Sequence, residues 1–86
     1  MKLKKEYIFH ESGGESLLVP TGGADFAGIV KGNATAGAIF GCLAEEITEE
    51  ELISRMKERF DAPEDVIGQD VRKVLELLRG IGALDG

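Results

Sequence analysis

A change of sequence pattern at Asn33 constrains the fold of this chain more than any other feature. Residues 26–30 are a short β-branched run flanked by glycine, which predicts a strand. Apolar residues then recur at helical spacing, at Ala36, Ile39, Phe40 and Leu43. The Asn33 side chain can cap the helix that they define. A strand that meets a helix so abruptly must end near the edge of a sheet, where its backbone can be open to a partner.

Two further strands are predicted before this point. Residues 7–11 and 15–19 are short runs joined by Ser12, Gly13 and Gly14, which have the composition of a hairpin turn. Pro20 and the glycine pair at 22–23 then break the chain. The sequence therefore places its strands before its helices.

Two further helices are predicted after Asn33. Thr48 and Glu51 have the spacing of a capping box, and an apolar stripe follows at Leu52, Ile53, Met56 and Phe60. Pro63 suits the first turn of the third helix, and Gly80 and Gly82 end it. The buried stripe of that helix comprises Ile67, Val71, Val74, Leu75, Leu78 and Ile81. The predicted order is three strands followed by three helices.

Length and composition predict one small domain over residues 1–86. A chain of 86 residues with 43% hydrophobic content can build a single modest core. It contains no apolar stretch near 18 residues and no signal-peptide pattern, so neither a membrane span nor export is predicted. The single cysteine, Cys42, agrees with a reducing compartment. We therefore expect a cytoplasmic protein.

The charge balance disfavours nucleic acid as a partner. Sixteen acidic residues against ten basic ones leave a formal charge of -6, which repels a phosphate backbone. The basic residues are nevertheless clustered, with Arg72, Lys73 and Arg79 late in the third predicted helix. A local basic patch of this kind can attract an acidic peptide.

Residues that could carry catalysis are few. His10 and Cys42 are the only histidine and cysteine, and neither has a partner at ligand spacing, so neither a zinc site nor a nucleophile pair is predicted. No glycine-rich run has the spacing and lysine of a phosphate-binding loop. Ser16 could suggest a carrier protein, but it lies in a strand that Pro20 ends, close to the N-terminus. We predict no catalytic residue, no metal and no cofactor.

The assembled pattern resembles the PqqD-like proteins, the family of pyrroloquinoline quinone biosynthesis protein D and related peptide-recognition elements. The resemblance runs from about residue 7 to residue 84. It is carried by Leu18-Val-Pro20, Gly28-Ile-Val30, Asn33, Ala36, Ile39, Phe40, Thr48, Leu52, Ile53, Asp70-Val71, Leu75, Leu78, Gly82 and Leu84. The chain departs from the family pattern at Gly32, where a larger apolar residue is usual. Gly37 and Gly41 also weaken the first helix relative to alanine.

The resemblance implies an α+β fold like a winged helix-turn-helix, with a three-stranded antiparallel sheet leading into three helices. The implied activity is capture of the leader segment of a ribosomally synthesised precursor peptide. The peptide is then presented to a modifying enzyme, often a radical S-adenosylmethionine (radical SAM) enzyme. In the family, the leader pairs as an added strand on the third strand and lies against the third helix. The corresponding edge here comprises Ala27, Gly28, Ile29, Val30 and Lys31.

The third helix carries a second stripe, about a right angle from its core stripe at roughly 100° per residue. It consists of Val66, Asp70, Lys73 and Leu77. Under the family mechanism, Val66 and Leu77 are groove wall and Lys73 faces an acidic leader residue. The alternative is that Val66 and Leu77 only widen the contact with the core. Arg72, Glu76 and Arg79 face the other way and are expected to be solvated.

Three functions from different classes are consistent with the sequence. The first is a non-catalytic leader-peptide module, the second a winged-helix DNA-binding or regulatory protein, and the third a small enzyme or carrier. Binding that requires DNA and collapses with added salt would favour the second. An open sheet edge can also pair with its own copy, so a homodimer is a further alternative.

Overall fold

The predicted order of elements is confirmed by the computed structural model, which describes residues 1–22 and 28–85. In chain order the elements are β1 (Lys2–Leu3), β2 (Tyr7–Ser12), β3 (Glu15–Pro20), β4 (Val30–Gly32), α1 (Ala34–Cys42), α2 (Glu49–Arg59), α3 (Glu64–Gly80) and β5 (Leu84–Asp85). The strand predicted over 26–30 begins outside the described residues. Its paired part is β4, which continues to the residue before Asn33. The short strands β1 and β5 were not predicted.

Strands β2, β3 and β4 form an antiparallel sheet in that order, as the predicted α+β fold requires. Ser12 pairs with Glu15 across a two-residue turn. Gly13 and Gly14 in this turn have positive φ angles of 58° and 80°. Two successive positive φ angles are the geometry of a type I′ turn, whose twist matches that of the flanking strands. The hairpin prediction is therefore confirmed, with a reason for both glycines.

Helices α1 and α2 begin where the capping signals predicted, and α3 begins one residue later than predicted. The Ala36 amide donates to the Asn33 side chain at 2.9 Å, so Asn33 caps α1. The Glu51 amide donates to the Thr48 hydroxyl at 3.1 Å, and the Thr48 amide donates to the Glu51 carboxylate at 3.3 Å. This reciprocal pair is the predicted capping box of α2. Pro63 occupies the N-cap of α3, one position before the first turn.

The end of α3 is closed by a Schellman motif at Gly82. The Ala83 amide donates to the Leu78 carbonyl at 2.8 Å, and the Gly82 amide donates to the Arg79 carbonyl at 3.1 Å. Gly82 has a φ of 72°, the left-handed conformation that this motif needs and glycine adopts without strain. The chain then leaves α3 as β5, which pairs antiparallel with β1.

The core lies between one face of the sheet and the three helices. Leu18 of β3 is fully buried, and α1 covers the face of the sheet from which it projects. The predicted apolar stripes supply most of the remaining core. Its buried residues are Tyr7, Leu18, Ala38, Ile39, Phe40, Leu43, Ile47, Leu52, Met56, Ile67, Val71, Leu75, Leu78 and Ala83. Ala36, Ile53, Phe60, Val74 and Ile81 of the same stripes are half-buried against it.

Ser16 of β3 is a polar residue inside this core. It is 0% exposed, and its hydroxyl oxygen has no hydrogen-bond partner among the described residues. A side chain so deeply buried is not accessible to carry a prosthetic arm. Ser16 is therefore not a carrier site.

Replacing Ser16 with alanine should stabilise the fold. A buried hydroxyl without a partner costs roughly 1–3 kcal/mol in desolvation, and alanine removes the hydroxyl while leaving the Cβ in place. We expect Ser16→Ala to raise the free energy of unfolding by about 1 kcal/mol in urea titrations. A loss of stability would show that the hydroxyl makes a favourable interaction in solution.

Candidate functional site

The direction of each backbone group in β3 follows from one hydrogen bond. In an antiparallel pair, opposed residues alternate between pairs that exchange hydrogen bonds and pairs that do not. The Thr21 amide donates to the Glu6 carbonyl at 2.7 Å, in register with the β2–β3 ladder, so these two residues form a bonded pair. Counting back along β3, Leu17 turns its backbone groups toward β2. Leu18 and Ser16 therefore turn theirs toward β4.

The same alternation leaves one residue of β4 with free backbone groups. Val30 lies opposite Leu18 and Gly32 lies opposite Ser16, so both pairs bond across the ladder. Lys31 lies between them, and its N–H and C=O groups point away from β3. Within residues 1–22 and 28–85, β4 pairs with no strand on that side. Among these residues the edge of β4 is open, and it presents the backbone of Lys31.

A groove of about 320 Å³ separates β4 from α3. It brings together three of the predicted site residues, Lys31 from β4 and Asp70 and Lys73 from α3. The remaining lining residues were not predicted as part of a site, and they are Gly32, Asn33, Thr35, Ala36 and Val74. Most of these belong to the junction of β4 with α1. The position of that junction beside α3 could not be read from local sequence patterns.

Position 32 has room only for glycine, because the first turn of α1 packs against it. A Cβ atom at this position would lie 2.7 Å from the Cβ of Ala36 and 3.4 Å from the ring of Phe40. A larger side chain at position 32 would therefore require α1 to move away from β4. The close approach also gives the groove a floor made of backbone and small side chains.

Large apolar side chains are exposed around the groove. Ile29 is 57% exposed, Val66 is 43% exposed and Leu77 is 49% exposed. Val66 and Leu77 lie on the same face of α3 as Asp70 and Lys73, at spacings of four, three and four residues. Neither belongs to the buried core, so the alternative that they only widen the core contact is not what the structure shows.

The other predicted edge residues have different positions. Gly28 and Ile29 lead into β4, and by alternation the backbone groups of Ile29 face the same way as those of Lys31. The backbone of Val30 bonds to β3, and its side chain is half-buried against the core. Val30 therefore stabilises the sheet and does not present its backbone at the open edge. Ala27 lies outside the described residues.

Among the described residues, no group of three or more histidine, cysteine, aspartate or glutamate side chains is placed to hold a metal ion. His10 is exposed on β2 and Cys42 is half-buried at the end of α1. In the same part of the chain, no helix has the length and hydrophobicity needed to span a bilayer.

Fold and site together define a class of protein: a small α+β domain whose third core strand has an open edge beside an amphipathic helix. The family described as coenzyme PQQ synthesis protein D (PqqD) matches residues 15–84. The chain belongs to the PqqD family.

The same architecture occurs in a solved structure entitled "TbiB1 in Complex with the TbiA(beta) Leader Peptide". The two folds agree with a TM-score of 0.81 over 100% of this chain and 96% of that chain, at 19% sequence identity. At this identity, the likeness shows a shared fold. No curated protein sequence matches this chain significantly.

Proposed function

We propose that this domain is a non-catalytic module that binds the leader segment of a ribosomally synthesised precursor peptide. The leader adds as a strand to the open edge of β4, lies in the groove against α3, and is presented to a modifying enzyme of the radical SAM type. Precursor peptides are made by ribosomes, so the proposed location is the cytoplasm.

The observation that carries this proposal is the outward direction of the Lys31 backbone groups. Strand addition needs a donor and an acceptor on an unpaired edge, and it uses flanking pockets to select side chains. The edge of β4 supplies the hydrogen-bonding groups, and the groove beside it supplies the pocket. Membership of the PqqD family and the leader peptide in the TbiB1 complex support a leader peptide as the ligand.

Exposed apolar side chains support a peptide ligand in particular. Ile29, Val66 and Leu77 are three of the four large hydrophobic residues that are exposed within the described ranges. An apolar surface of this kind, rimmed by polar residues, is typical of an interaction site. A strand laid between β4 and α3 would cover it on both sides.

The proposal can be tested without knowing the natural precursor. A display library of random fifteen-residue peptides is selected on the immobilised protein, and the enriched peptides are synthesised. Amide hydrogen exchange is then measured with and without a selected peptide. The Ile29 and Lys31 amides should become protected on binding, whereas the Val30 amide is protected already. Absence of enriched peptides, or protection confined to other surfaces, would contradict strand addition on β4.

Charge at the groove should affect binding more than charge elsewhere on α3. Lys73 lines the groove, whereas Arg72 lines a separate cavity between α2 and α3. For a selected peptide with an acidic residue near Lys73, Lys73→Glu should weaken binding about tenfold, because like charges meet in a partly desolvated groove. Arg72→Glu on the solvated face should change affinity less than about twofold. Equal effects in calorimetric titrations would mean that the peptide does not bind in this groove.

A further inference from the structure

A second cavity opens where the groove meets the loop between α2 and α3. Its volume is about 210 Å³. Thr35 and Asp70 line both this cavity and the groove, so the two form one continuous depression. The remaining residues of the cavity are Met56, Phe60, Asp61, Ala62, Ile67 and Val71. We refer to it as the Asp61–Asp70 pocket.

The walls and the mouth of this pocket differ in character. Met56, Ile67 and Val71 belong to the buried core and form an apolar floor. Asp61 is exposed and Asp70 is half-buried, so neither residue is part of the buried floor. Within residues 1–22 and 28–85, neither carboxylate forms an ion pair. The pocket therefore combines an apolar interior with two carboxylates that form no ion pair with a basic side chain of the described residues.

The size of the pocket restricts its occupant. Sites for cofactors and drug-sized ligands usually have volumes of about 300–1,000 Å³, and this pocket is smaller. It has room for one long side chain. Since it continues the groove, the side chain can belong to a peptide that lies along β4.

We infer that the Asp61–Asp70 pocket takes a lysine or arginine side chain of the bound peptide, an inference that rests on the proposed function. The aliphatic stem of such a residue covers the apolar floor, and its charged end reaches the two carboxylates. A purely apolar side chain would desolvate the carboxylates without replacing their hydrogen bonds, and an acidic one would be repelled. The two carboxylates therefore select a basic residue.

The position of the pocket also sets where its occupant lies along the bound peptide. β4 runs toward α1, and the pocket lies past its end, at Thr35 in the first turn of that helix. The basic residue of the peptide therefore lies just outside the segment that pairs with Lys31. Lys31 and Lys73 line the groove without Asp61, whereas the pocket contains Asp61 without either lysine. Asp70 lines both places, so Asp61 is the charge that distinguishes the pocket from the groove.

Peptide selection on matched variants tests this inference. The random fifteen-residue library is selected in parallel on the wild-type chain and on Asp61→Asn/Asp70→Asn, which removes two charges and preserves side-chain shape. Wild-type selections should carry lysine or arginine at one fixed position relative to their apolar segment. The double variant should lose that preference. Glu64→Gln/Asp65→Asn removes the same charge at the cavity between α2 and α3 and should retain it.

A binding cycle on one selected peptide makes the test quantitative. Replacing the selected basic residue with methionine should weaken binding to the wild-type chain at least tenfold, and binding to Asp61→Asn/Asp70→Asn less than twofold. Circular dichroism establishes that each variant is folded. Enriched peptides without a fixed basic position, or equal losses on both proteins, would overturn the inference and leave the proposed function standing. Failure to enrich any peptide on the wild-type chain would overturn both.

Discussion

Replacing Lys31 with proline should abolish most peptide binding while leaving the domain folded. Proline removes the N–H group that faces the open edge, and its ring occupies the space of the incoming strand. The peptide carbonyl opposite then has no partner, which costs roughly 1–3 kcal/mol, or about a fivefold to 150-fold loss of affinity. Edge strands tolerate proline on their free side, so the fold should persist. Fluorescence anisotropy with a library-selected peptide measures the loss.

Two neighbouring variants separate the backbone effect from other causes. Lys31→Ala removes the same side chain and keeps the amide, so it should retain the backbone contribution to binding. Val30→Pro removes an amide that bonds to β3, and it should unfold the sheet because that side of β4 is paired. If Lys31→Pro stays folded and binds as tightly as Lys31→Ala, the peptide does not add to β4.

Replacing Gly37 with alanine should cause a large loss of stability. A Cβ atom there would overlap the Ser16 hydroxyl oxygen and lie 2.9 Å from the Ser16 Cβ. Ser16 is fully buried in the centre of the sheet, so α1 must move away from β3 to make room. Overpacking of this kind costs about 1–3 kcal/mol, which exceeds the stabilisation from the higher helix propensity of alanine. We expect a net loss of about 1–2 kcal/mol in urea titrations.

Gly41 on the same helix provides the matched control. A Cβ atom at Gly41 would find one neighbour, the ring of Phe9 at 3.9 Å, which is an ordinary contact. Gly41→Ala should therefore stabilise the protein by about 0.5–1 kcal/mol through helix propensity alone. The two alanine variants should move the urea midpoint in opposite directions. A shift of the same sign for both would mean that α1 does not pack on β3 as the structure shows.

The proposed binding mode depends on features that local sequence reveals only in part. The stripe of Val66, Asp70, Lys73 and Leu77 on α3 could be predicted from helical periodicity, because those spacings share one face of any helix. The strand that faces this stripe across the groove could not be predicted, because its position depends on where β4 ends relative to α3. Thr35 and Asp61 belong to the depression only because three separate segments meet there.

The sequence by itself determined the order of elements and the starts of the helices. Asn33 and Thr48 act on amides within three residues of themselves, and the Gly13–Gly14 turn is equally local. Such signals depend on the chain nearby, so they can be recognised before any fold is known. The apolar stripes likewise identify each buried face, because burial follows helical periodicity once a core forms.

Tertiary structure alone decided the remaining features. β1 and β5 are two-residue strands that form only because the two ends of the described chain meet, and no periodicity can register in so short a segment. Gly37 lowers helix propensity when read alone, yet its missing side chain lets α1 approach Ser16. The open edge at Lys31 depends on which residues of β3 turn their backbone groups toward β4. The register between β2 and β3 determines this. Each of these features is a contact between segments distant in sequence. Such contacts form only when the chain folds, so local sequence patterns do not predict them.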